Sequence, residues 1–437
     1  DSNSVTLSSF FSLTGEAMSI GERTPCAVIN SSAASRMAVA EAVTNIISSG
    51  IEKLSDIKLS ANWMGAPEKL SGNQDLFQAV EAVGMDLCPK WGICIPVGKD
   101  SLSMATSWKD KEKKDHSVIS PLSLIVSAFA PLKDVSLALT PQIDLTSDNS
   151  SELIFIELAK GKKRMGGSIA FQVSTHFLGS VPDVECCNEM PKLVEALHQL
   201  INEKKIIAYH DRSDGGLICS LLEMAFAGRS GLDIKLDQIC ESYDQTFEAL
   251  FNEELGIVIQ VPSKHIEEVI HLVSEVGFAK EVFRIASPNK SKLIKLFRGK
   301  ELAFEWKLGD LLKEWNFVSY KMQSLRDNLE TAKQEYLFYT DEDRKGLSPK
   351  ISYKVPKKIT SLSTRPSVAI LREQGVNGQV EMAAAFDRVG FSCTDVHMTD
   401  LITARRKLEE FSGLVACGGF SYGDVLGASE GWATSIL

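Results

Sequence analysis

In the first 130 residues, short apolar runs alternate with stretches of helical period. Residues 26–29, 94–97 and 122–128 are apolar runs that predict strands. Residues 37–47 and 75–87 repeat apolar side chains at the spacing of a helix. This order predicts an α/β unit, and a polar stretch rich in Ser, Thr and Asp at residues 140–151 predicts its boundary.

A second α/β unit is predicted beyond that boundary. Its pattern predicts strands at residues 153–158 and 206–209 and helices at residues 190–203 and 216–227. Residues 314–363 are polar, with one helical stretch around residues 325–336. We interpret this segment as a linker that is packed but rich in loops.

A third pattern begins after residue 366. It predicts strands at residues 367–371, 391–397 and 413–416 and a helix at residues 378–389. Strand, helix and strand at this spacing are typical of the start of a parallel, doubly wound sheet.

Composition and charge exclude several classes of protein. The 437 residues suggest about three domains, and 44% hydrophobic against 24% charged residues is typical of a globular chain. A net charge of -10 argues against nonspecific binding to nucleic acid or to an anionic membrane. Nine cysteines without a CxxC pair, together with no signal-like or membrane-spanning run, predict a cytoplasmic protein.

The most informative motif is Ala208-Tyr-His-Asp-Arg-Ser-Asp-Gly-Gly216, where a predicted strand turns into a predicted helix. Glycines permit a tight turn, and the N-terminus of the next helix favours phosphate. Asp211 and Asp214 supply the hard oxygen ligands that Mg²⁺ prefers. The alternative is that Asp214-Gly-Gly only caps the helix.

Glu41 and Asn45 form a second candidate site. They are four residues apart on the predicted helix 37–47, so their side chains lie about 40° apart around the helix axis. Val39 and Val43 lie on the opposite side. Two oxygen-bearing side chains on one face suit a shared cation, and the alternative is a solvated face.

Two further glycine-containing segments are weaker signals. Gly98-Lys-Asp-Ser101 follows a predicted strand and suits either a phosphate loop or a simple turn. The glycine-rich residues 418–427 follow another strand, where backbone N–H groups can face an oxyanion. Cys417 precedes two glycines with no histidine downstream, which favours a buried structural cysteine over a nucleophile. We assign no catalytic residue.

In combination, eight motifs resemble the phosphoribosylformylglycinamidine synthase family of the large, single-chain type. The resemblance runs along essentially the whole chain. The motifs are Gly15-Glu-Ala-Met-Ser-Ile-Gly-Glu-Arg23, Glu41-Ala-Val-Thr-Asn45, Lys58-Leu-Ser-Ala-Asn-Trp-Met64, Gly98-Lys-Asp-Ser-Leu-Ser-Met104, His210-Asp-Arg-Ser-Asp-Gly-Gly216, Phe251-Asn-Glu-Glu-Leu-Gly256, Arg372-Glu-Gln-Gly-Val-Asn377 and Gly418-Gly-Phe-Ser-Tyr-Gly-Asp424.

The resemblance implies a mixed α/β (α+β) fold in four segments. Residues 1–145 and 146–312 are expected to be the N- and C-terminal domains of an aminoimidazole-ribonucleotide-synthetase-like half, the second of two such halves. Residues 313–365 are the expected linker. Residues 366–437 are expected to be the truncated start of a class I glutamine amidotransferase domain of flavodoxin-like fold.

The resemblance also implies an auxiliary nucleotide, ATP or ADP, bound with Mg²⁺. The matching metal ligands are Glu41, Asn45 and Asp211, and Ser213 matches a nucleotide-binding position. Alignment through the first motif places Ser2 at a further metal-binding aspartate of the family, with Asp1 one position away.

In the family, ATP, glutamine and formylglycinamide ribonucleotide give formylglycinamidine ribonucleotide. The substrate amide oxygen is phosphorylated, and ammonia from glutamine then attacks. The family's glutaminase nucleophile, histidine and glutamate find no match in this sequence, so we expect this fragment to be inactive and to act with the remaining parts of the same polypeptide. The alternatives are an active ATP-dependent kinase or ligase of the same superfamily and a noncatalytic scaffold.

Overall fold

The computed structural model of this protein describes residues 3–9, 11–66, 68, 72–145, 150–174, 177–341, 346–354, 364–424 and 427–436. The chain forms two compact units, Asp1–Arg344 and Lys345–Leu437. The described part of the chain contains no helix with the length and hydropathy of a bilayer-spanning segment.

The first unit begins with a five-stranded sheet and a two-stranded ribbon. The strands are β1 Ser4–Leu7, β2 Gly15–Glu22, β3 Lys58–Met64, β4 Cys94–Ser101, β5 Ala105–Lys109, β6 Asp115–Ile119 and β7 Ser123–Leu132. The order in the sheet is β1-β2-β7-β3-β4, in which only β3 and β4 are parallel neighbours. β5 and β6 form the separate antiparallel ribbon.

Helix α2 is the centre of this region. The helices here are α1 Thr24–Ala27, α2 Ser31–Ile47, α3 Gly72–Glu81 and α4 Cys88–Trp91, with a π-helical segment Ala82–Leu87 joining the last two. Asn30 caps α2 by accepting a hydrogen bond from the Ala33 N–H at 3.0 Å. Thirteen of the 17 residues of α2 are buried, so the helix is enclosed on most sides rather than lying on a surface.

A second, seven-stranded sheet completes the first unit. Its strands are β8 Ser151–Glu157, β9 Ala208–Asp211, β10 Gly231–Lys235, β11 Gly256–Pro262, β12 Val282–Asn289, β13 Leu293–Arg298 and β14 Glu301–Lys307. The order is β14-β13-β10-β12-β8-β11-β9, with only β10 and β13 parallel. Its helices are α5 Ile169–Val173, α6 Met190–Asn202, α7 Gly216–Gly228, α8 Thr246–Phe251 and α9 Ile266–Val273.

The two faces of the second sheet pack in different ways. One face joins α6 and α9, and it shares a continuous hydrophobic core with α2 and the first sheet. The opposite face packs against α7 and against α10, Leu308–Arg326, which is the helix that follows β14. The shared core brings α2 close to β9, which is the arrangement that positions the candidate site.

The segment predicted as a loop-rich linker is helical up to Thr340, whereas its described residues 346–354 form neither helix nor strand. α10 and α11, Leu329–Thr340, pack together through stacked Tyr320 and Tyr336 rings 4.6 Å apart. Leu312 of α10 is 4% exposed and belongs to the core beside the second sheet. The single predicted helical stretch at residues 325–336 instead spans the junction of two helices, because Asn328 caps α11 and separates it from α10.

The second unit contains three parallel strands. β15 Ser367–Arg372 lies between β16 Ser392–His397 and β17 Gly413–Ala416. Helices α12 Gln379–Arg388, α13 Met398–Ile402 and α14 Ala428–Ile436 connect and flank the sheet. Alternate residues of β15 enter two different hydrophobic clusters, so both faces of the sheet are covered. The predicted parallel, doubly wound pattern is confirmed.

Two local predictions are wrong. Residues 26–29, predicted as a strand, overlap α1, because Pro25 occupies the first turn of that helix and fixes its backbone near helical values. Gly98-Lys-Asp-Ser101 forms neither a phosphate loop nor a turn, because β4 continues through it beside β3. The mixed α/β (α+β) architecture is confirmed, while the boundaries at residues 145, 312 and 365 stay predictions.

Candidate functional site

The junction of α2 with β2 brings the first pair of predicted site residues into place. Where β2 crosses α2, a Cβ on Gly21 would lie 2.1 Å from the Ala38 carbonyl oxygen, so only glycine fits. This close approach lets the Asn45 side-chain amide donate to the Ile20 carbonyl at 3.1 Å. The Glu22 N–H donates to the Glu41 carboxylate at 2.9 Å. Glu41 and Asn45 are thus held by neighbouring residues of one strand.

The junction of α2 with β9 positions the second pair. The Tyr209 hydroxyl donates to the Thr44 carbonyl at 2.6 Å and is fully buried. Asp211 ends β9 two residues later, opposite Ile257 of β11. Thr44 directly precedes Asn45, and Tyr209 lies two residues before Asp211. This hydrogen bond therefore holds the helix that carries Asn45 close to the strand that carries Asp211.

Asp211-Arg-Ser-Asp-Gly-Gly216 turns β9 into α7. Gly215 and Gly216 have φ values of +80° and +76°, a region that favours glycine. The alternative that Asp214-Gly-Gly caps α7 holds only for Gly215, which is the N-cap, and the Asp214 side chain makes no cap. The Asp214 carboxylate instead contacts Arg23 at 2.9 Å. The Gly215 N–H donates to Glu253 at 2.8 Å, so a protein carboxylate already lies at this helix terminus.

A cavity of about 530 Å³, here called the site cavity, lies beside this turn. Three of the four predicted site residues line it, namely Asn45, Asp211 and Ser213. The remaining lining residues are Thr140, Pro141, Gln142, His210, Glu223, Phe226, Ala227, Arg229, Leu312, Trp315, Asn316 and Tyr339. Glu41 is described by the structure but is not among the lining residues.

Two buried oxygens at the site cavity fit the donor set of a hard cation. Within the described residues, Asn45 Oδ1 and Asp211 Oδ2 are buried and have no hydrogen-bond partner. Buried acceptors are nearly always satisfied, so each such atom calls for a water, an ion or a ligand. Amide and carboxylate oxygens are what Mg²⁺ takes from proteins. The residues present therefore fit the predicted metal.

Glu41 is buried and electrostatically coupled to both neighbours. Its side chain is 13% exposed and lies 3.8 Å from Arg23 Nε, so the alternative of a solvated face is wrong. Burial raises the pKa of Glu41 to about 7, Arg23 opposes the rise and Asp211 adds to it. The charges of Arg23 and Asp211 therefore act on the ionisation of Glu41 in opposite directions.

His210 and Glu223 line the site cavity, although neither was predicted as a site residue. The His210 imidazole lies 3.0 Å from Asp211 Oδ1 and 2.7 Å from Glu223 Oε2. Burial lowers the pKa of His210, but its hydrogen bonds to Asp211 and Glu223 outweigh burial and raise the pKa to about 9. The imidazolium therefore offsets part of the negative charge at the cavity.

The described residues contain no group of three or more His, Cys, Asp and Glu side chains placed to hold a metal. The predicted set has only two carboxylates, so Asn45 and ligand oxygens would have to complete it. Asp1 and Ser2, the positions aligned with a further metal ligand of the family, lie outside the described residues.

In the second unit, the loops after β15 and β17 lie against each other. The Phe420 N–H donates to the Gly375 carbonyl at 2.8 Å, and a Cβ on Gly375 would lie 2.2 Å from the Phe420 carbonyl oxygen. Both loops follow carboxyl ends of parallel strands, the edge at which such sheets bind ligands. Cys417 is 7% exposed, and burial raises the pKa of its thiol, so it is a buried cysteine as predicted.

Three family models match this chain. The FGAR-AT PurM_N-like domain matches residues 2–131, the C-terminal domain of AIR synthase related protein matches residues 153–296, and the CobB/CobQ-like glutamine amidotransferase domain matches residues 365–437. Together the matches span more than three quarters of the sequence, in the order expected from the eight motifs. The chain belongs to the phosphoribosylformylglycinamidine synthase family.

Solved structures of Thermotoga maritima PurL share the fold. PurL complexed with FGAR has a TM-score of 0.52 and 13% identity, over 71% of this chain and 46% of PurL. PurL complexed with ADP has a TM-score of 0.51 and 13% identity, over 89% of this chain and 52% of PurL. This chain therefore spans about half the length of these PurL structures.

Proposed function

We propose that this chain is part of an ATP-dependent glutamine amidotransferase that converts formylglycinamide ribonucleotide to formylglycinamidine ribonucleotide in purine biosynthesis. The family membership and the shared fold support the proposal. Its substrates are formylglycinamide ribonucleotide, ATP and glutamine, as suggested by the PurL complexes with FGAR and ADP and by the glutamine amidotransferase match.

Within that enzyme, we propose that the first unit binds an auxiliary nucleotide, ATP or ADP, together with Mg²⁺. The observation that carries this proposal is the pair of unpartnered buried oxygens, Asn45 Oδ1 and Asp211 Oδ2, at the same cavity as Ser213. Asn45, Asp211 and Glu41 would hold the cation, and Ser213 would contact the nucleotide. When bound, Mg²⁺ offsets the negative charge of the phosphates.

The protein's own charges are consistent with such a ligand. Glu41 and Asp211 repel each other, which contributes to the raised pKa of Glu41. A divalent cation between these groups would relieve the repulsion and favour the ionised carboxylate. Binding is then expected to release a proton from Glu41 near neutral pH.

We propose that the remaining parts of the same polypeptide are its partners and that the enzyme is cytoplasmic. The outer face of the first sheet supports the first proposal, because Ile20, Val97 and Phe129 are 61%, 60% and 41% exposed on it. All nine cysteines are free thiols, which supports a reducing compartment.

The test is thermal denaturation of the purified chain with and without Mg-ADP, after analysis for copurified nucleotide. Mg-ADP is expected to raise the melting temperature or to be present already, because a ligand that binds only the folded state stabilises it. Asn45→Ala and Asp211→Asn should abolish both signs of binding. Asn62→Ala is the matched control, since Asn62 also carries a buried, unpartnered Oδ1 within the described residues but does not line the site cavity.

The outcomes separate the alternatives. If the purified chain hydrolysed ATP and Asp211→Asn eliminated this hydrolysis, the result would favour an active kinase or ligase. A chain that contains no nucleotide and shows no shift with Mg-ADP would contradict the site and favour a noncatalytic scaffold. Loss of binding in Asn62→Ala as well would show that the effect does not depend on the predicted ligands.

A further inference from the structure

Glu253 joins segments that are far apart in the sequence. It lies between α8 and β11, is 3% exposed, and accepts hydrogen bonds through Oε1 from the Ile169 and Gly215 N–H groups, both at 2.8 Å. Gly215 belongs to the turn that carries Asp211 and Ser213. A Cβ on Gly216 would lie 2.6 Å from the Leu250 carbonyl oxygen, so this turn also packs directly on the end of α8.

Arg23 continues this network to α2. It is 4% exposed, and its Nη1 contacts Glu253 Oε2 at 3.3 Å and Asp214 Oδ1 at 2.9 Å. Its Nε lies 3.8 Å from Glu41 Oε2. Within the described residues, Arg23 Nε and Nη2 are buried without hydrogen-bond partners. Such a guanidinium is costly to bury, which indicates that its position serves more than packing.

We propose that the Arg23–Glu253 pair is a positioning pair for the Mg-nucleotide site. Glu253 fixes the Asp211–Ser213 turn through Gly215, and Arg23 fixes Glu41 relative to the same turn. The shared core and the Tyr209–Thr44 hydrogen bond hold α2 beside β9, and these two charged side chains, which do not line the site cavity, fix Glu41 relative to the turn. This inference rests on the proposed Mg-nucleotide site. Groups that orient metal ligands commonly change metal affinity by 10- to 100-fold.

The neighbouring Glu254 provides a matched comparison. It is fully buried and makes a bidentate pair with Arg164, at 2.6 Å and 2.9 Å. Like Glu253, it accepts a backbone hydrogen bond, here from the Arg164 N–H at 3.1 Å. These side-chain contacts do not include Glu41, Asp211 or Ser213. The Glu254 backbone carbonyl accepts a hydrogen bond from Arg212 Nε, and Glu254→Gln leaves that carbonyl in place. Replacing Glu254 therefore tests what loss of a buried ion pair does to this region in general.

The experiment measures ADP affinity by titration calorimetry on protein from which any copurified nucleotide has been removed. It is done with Mg²⁺ and with EDTA, for the wild type, Glu253→Gln and Glu254→Gln. We expect Glu253→Gln to weaken Mg-ADP binding by about tenfold or more and metal-free ADP binding by clearly less, because metal-free ADP loses only the Ser213 contact of the turn. Glu254→Gln should lower the melting temperature but leave the ratio of the two affinities within twofold of the wild type. A purely structural defect would not act on the Mg²⁺-dependent part alone.

Arg23→Lys keeps the charge but loses the planar fork, and it is measured in the same way in case Glu253→Gln does not fold. An unchanged Mg²⁺-dependent affinity in the folded variants, or equal losses with and without Mg²⁺, would overturn the positioning role and leave the site itself intact. A wild type that binds no Mg-ADP would contradict the proposed site and this inference together.

Discussion

At the scale of single residues, the site depends on glycine at a position where no side chain would fit, as well as on the side chains that could bind a ligand. Gly21 allows β2 to touch the backbone of α2, and this contact places Glu22 and Ile20 against Glu41 and Asn45. A side chain is sterically excluded at Gly21, because the nearest atoms to an added Cβ are backbone atoms that cannot rotate away.

Gly21→Ala is therefore expected to destabilise the protein strongly, by about 3 kcal/mol or more, because the extra methyl group overlaps Ala38 and Ala42. Urea unfolding measures the change. Gly98→Ala is the control in the edge strand of the same sheet, where the nearest atom would be 3.8 Å away. Similar free energies of unfolding for the two variants would contradict the proposed steric constraint.

His210 predicts a pH dependence of stability. Its folded-state pKa of about 9 lies above the ordinary value of 6.5. The stabilisation from its ion pairs is complete below pH 6.5 and is lost as the pH rises through 9. In metal-free protein, the free energy of unfolding should therefore fall between pH 6.5 and 8.5 by more in the wild type than in His210→Gln.

The control for this measurement is His271→Gln, whose imidazole is 73% exposed. It should retain the wild-type pH profile. An identical profile for the wild type and His210→Gln would show that the imidazole does not gain a proton on folding.

At the scale of elements, the helical hairpin α10–α11 is part of the first unit and contributes to the site cavity. Trp315 packs on Phe226 with ring centroids 5.9 Å apart, and Tyr339 accepts a hydrogen bond from Arg229 through its carbonyl at 3.0 Å. All four residues line the site cavity. The segment predicted as a linker thus supplies one of its walls.

Leu312→Ala is expected to lower the free energy of unfolding by about 2–4 kcal/mol, because it removes a buried side chain that joins α10 to the second sheet. Leu325→Ala on the same helix is the control, because Leu325 is 86% exposed, and a change within about 0.5 kcal/mol is expected. Thermal denaturation compares the two. A similar small effect of both would mean that α10 does not belong to this core.

Local sequence patterns predicted most elements of regular structure. Helices with strong apolar periodicity, such as Met190–Asn202, and the strands of the second unit lie where the pattern placed them. Errors arose where one residue decides the conformation. Pro25 begins a helix in an apolar run, and Asn328 divides one helical stretch into two helices.

The candidate site was only partly predictable for a different reason. Asn45 and Asp211 stood out through spacing and motif, and both line the site cavity. Arg23 and Glu253 are 230 residues apart, so no local pattern connects them. The available signal was that Arg23 and Glu253 both lie within motifs that carry the family resemblance. The Trp315 contact depends on how α10 packs, which periodicity alone does not specify.

At the scale of the whole molecule, the predicted ligands are confined to one of the two compact units. Glu41, Asn45, Asp211 and Ser213 all lie within Asp1–Arg344, whereas the loops around Gly375 and Gly419 lie within Lys345–Leu437. Binding of Mg-ADP is therefore expected to stabilise the first unit directly.

Differential scanning calorimetry should show this difference. Mg-ADP at 100 times its Kd is expected to add about 2.7 kcal/mol to the stability of the first unit and to leave the transition of the second unit unchanged. Val396→Ala, which removes a fully buried side chain from the second unit, identifies that unit's transition by lowering it. A shift of the Val396-sensitive transition by Mg-ADP would contradict the assignment of the ligands to the first unit.

The enclosure of α2 between the first sheet and the second has a consequence for isotope exchange. A helix with a free face exchanges its amide hydrogens through local opening, whereas the central turns of α2 are covered by side chains from both sheets. The amide hydrogens of these turns should be among the slowest to exchange with deuterium in the first unit. The segment that holds Glu41 and Asn45 would then exchange mainly when the entire unit unfolds.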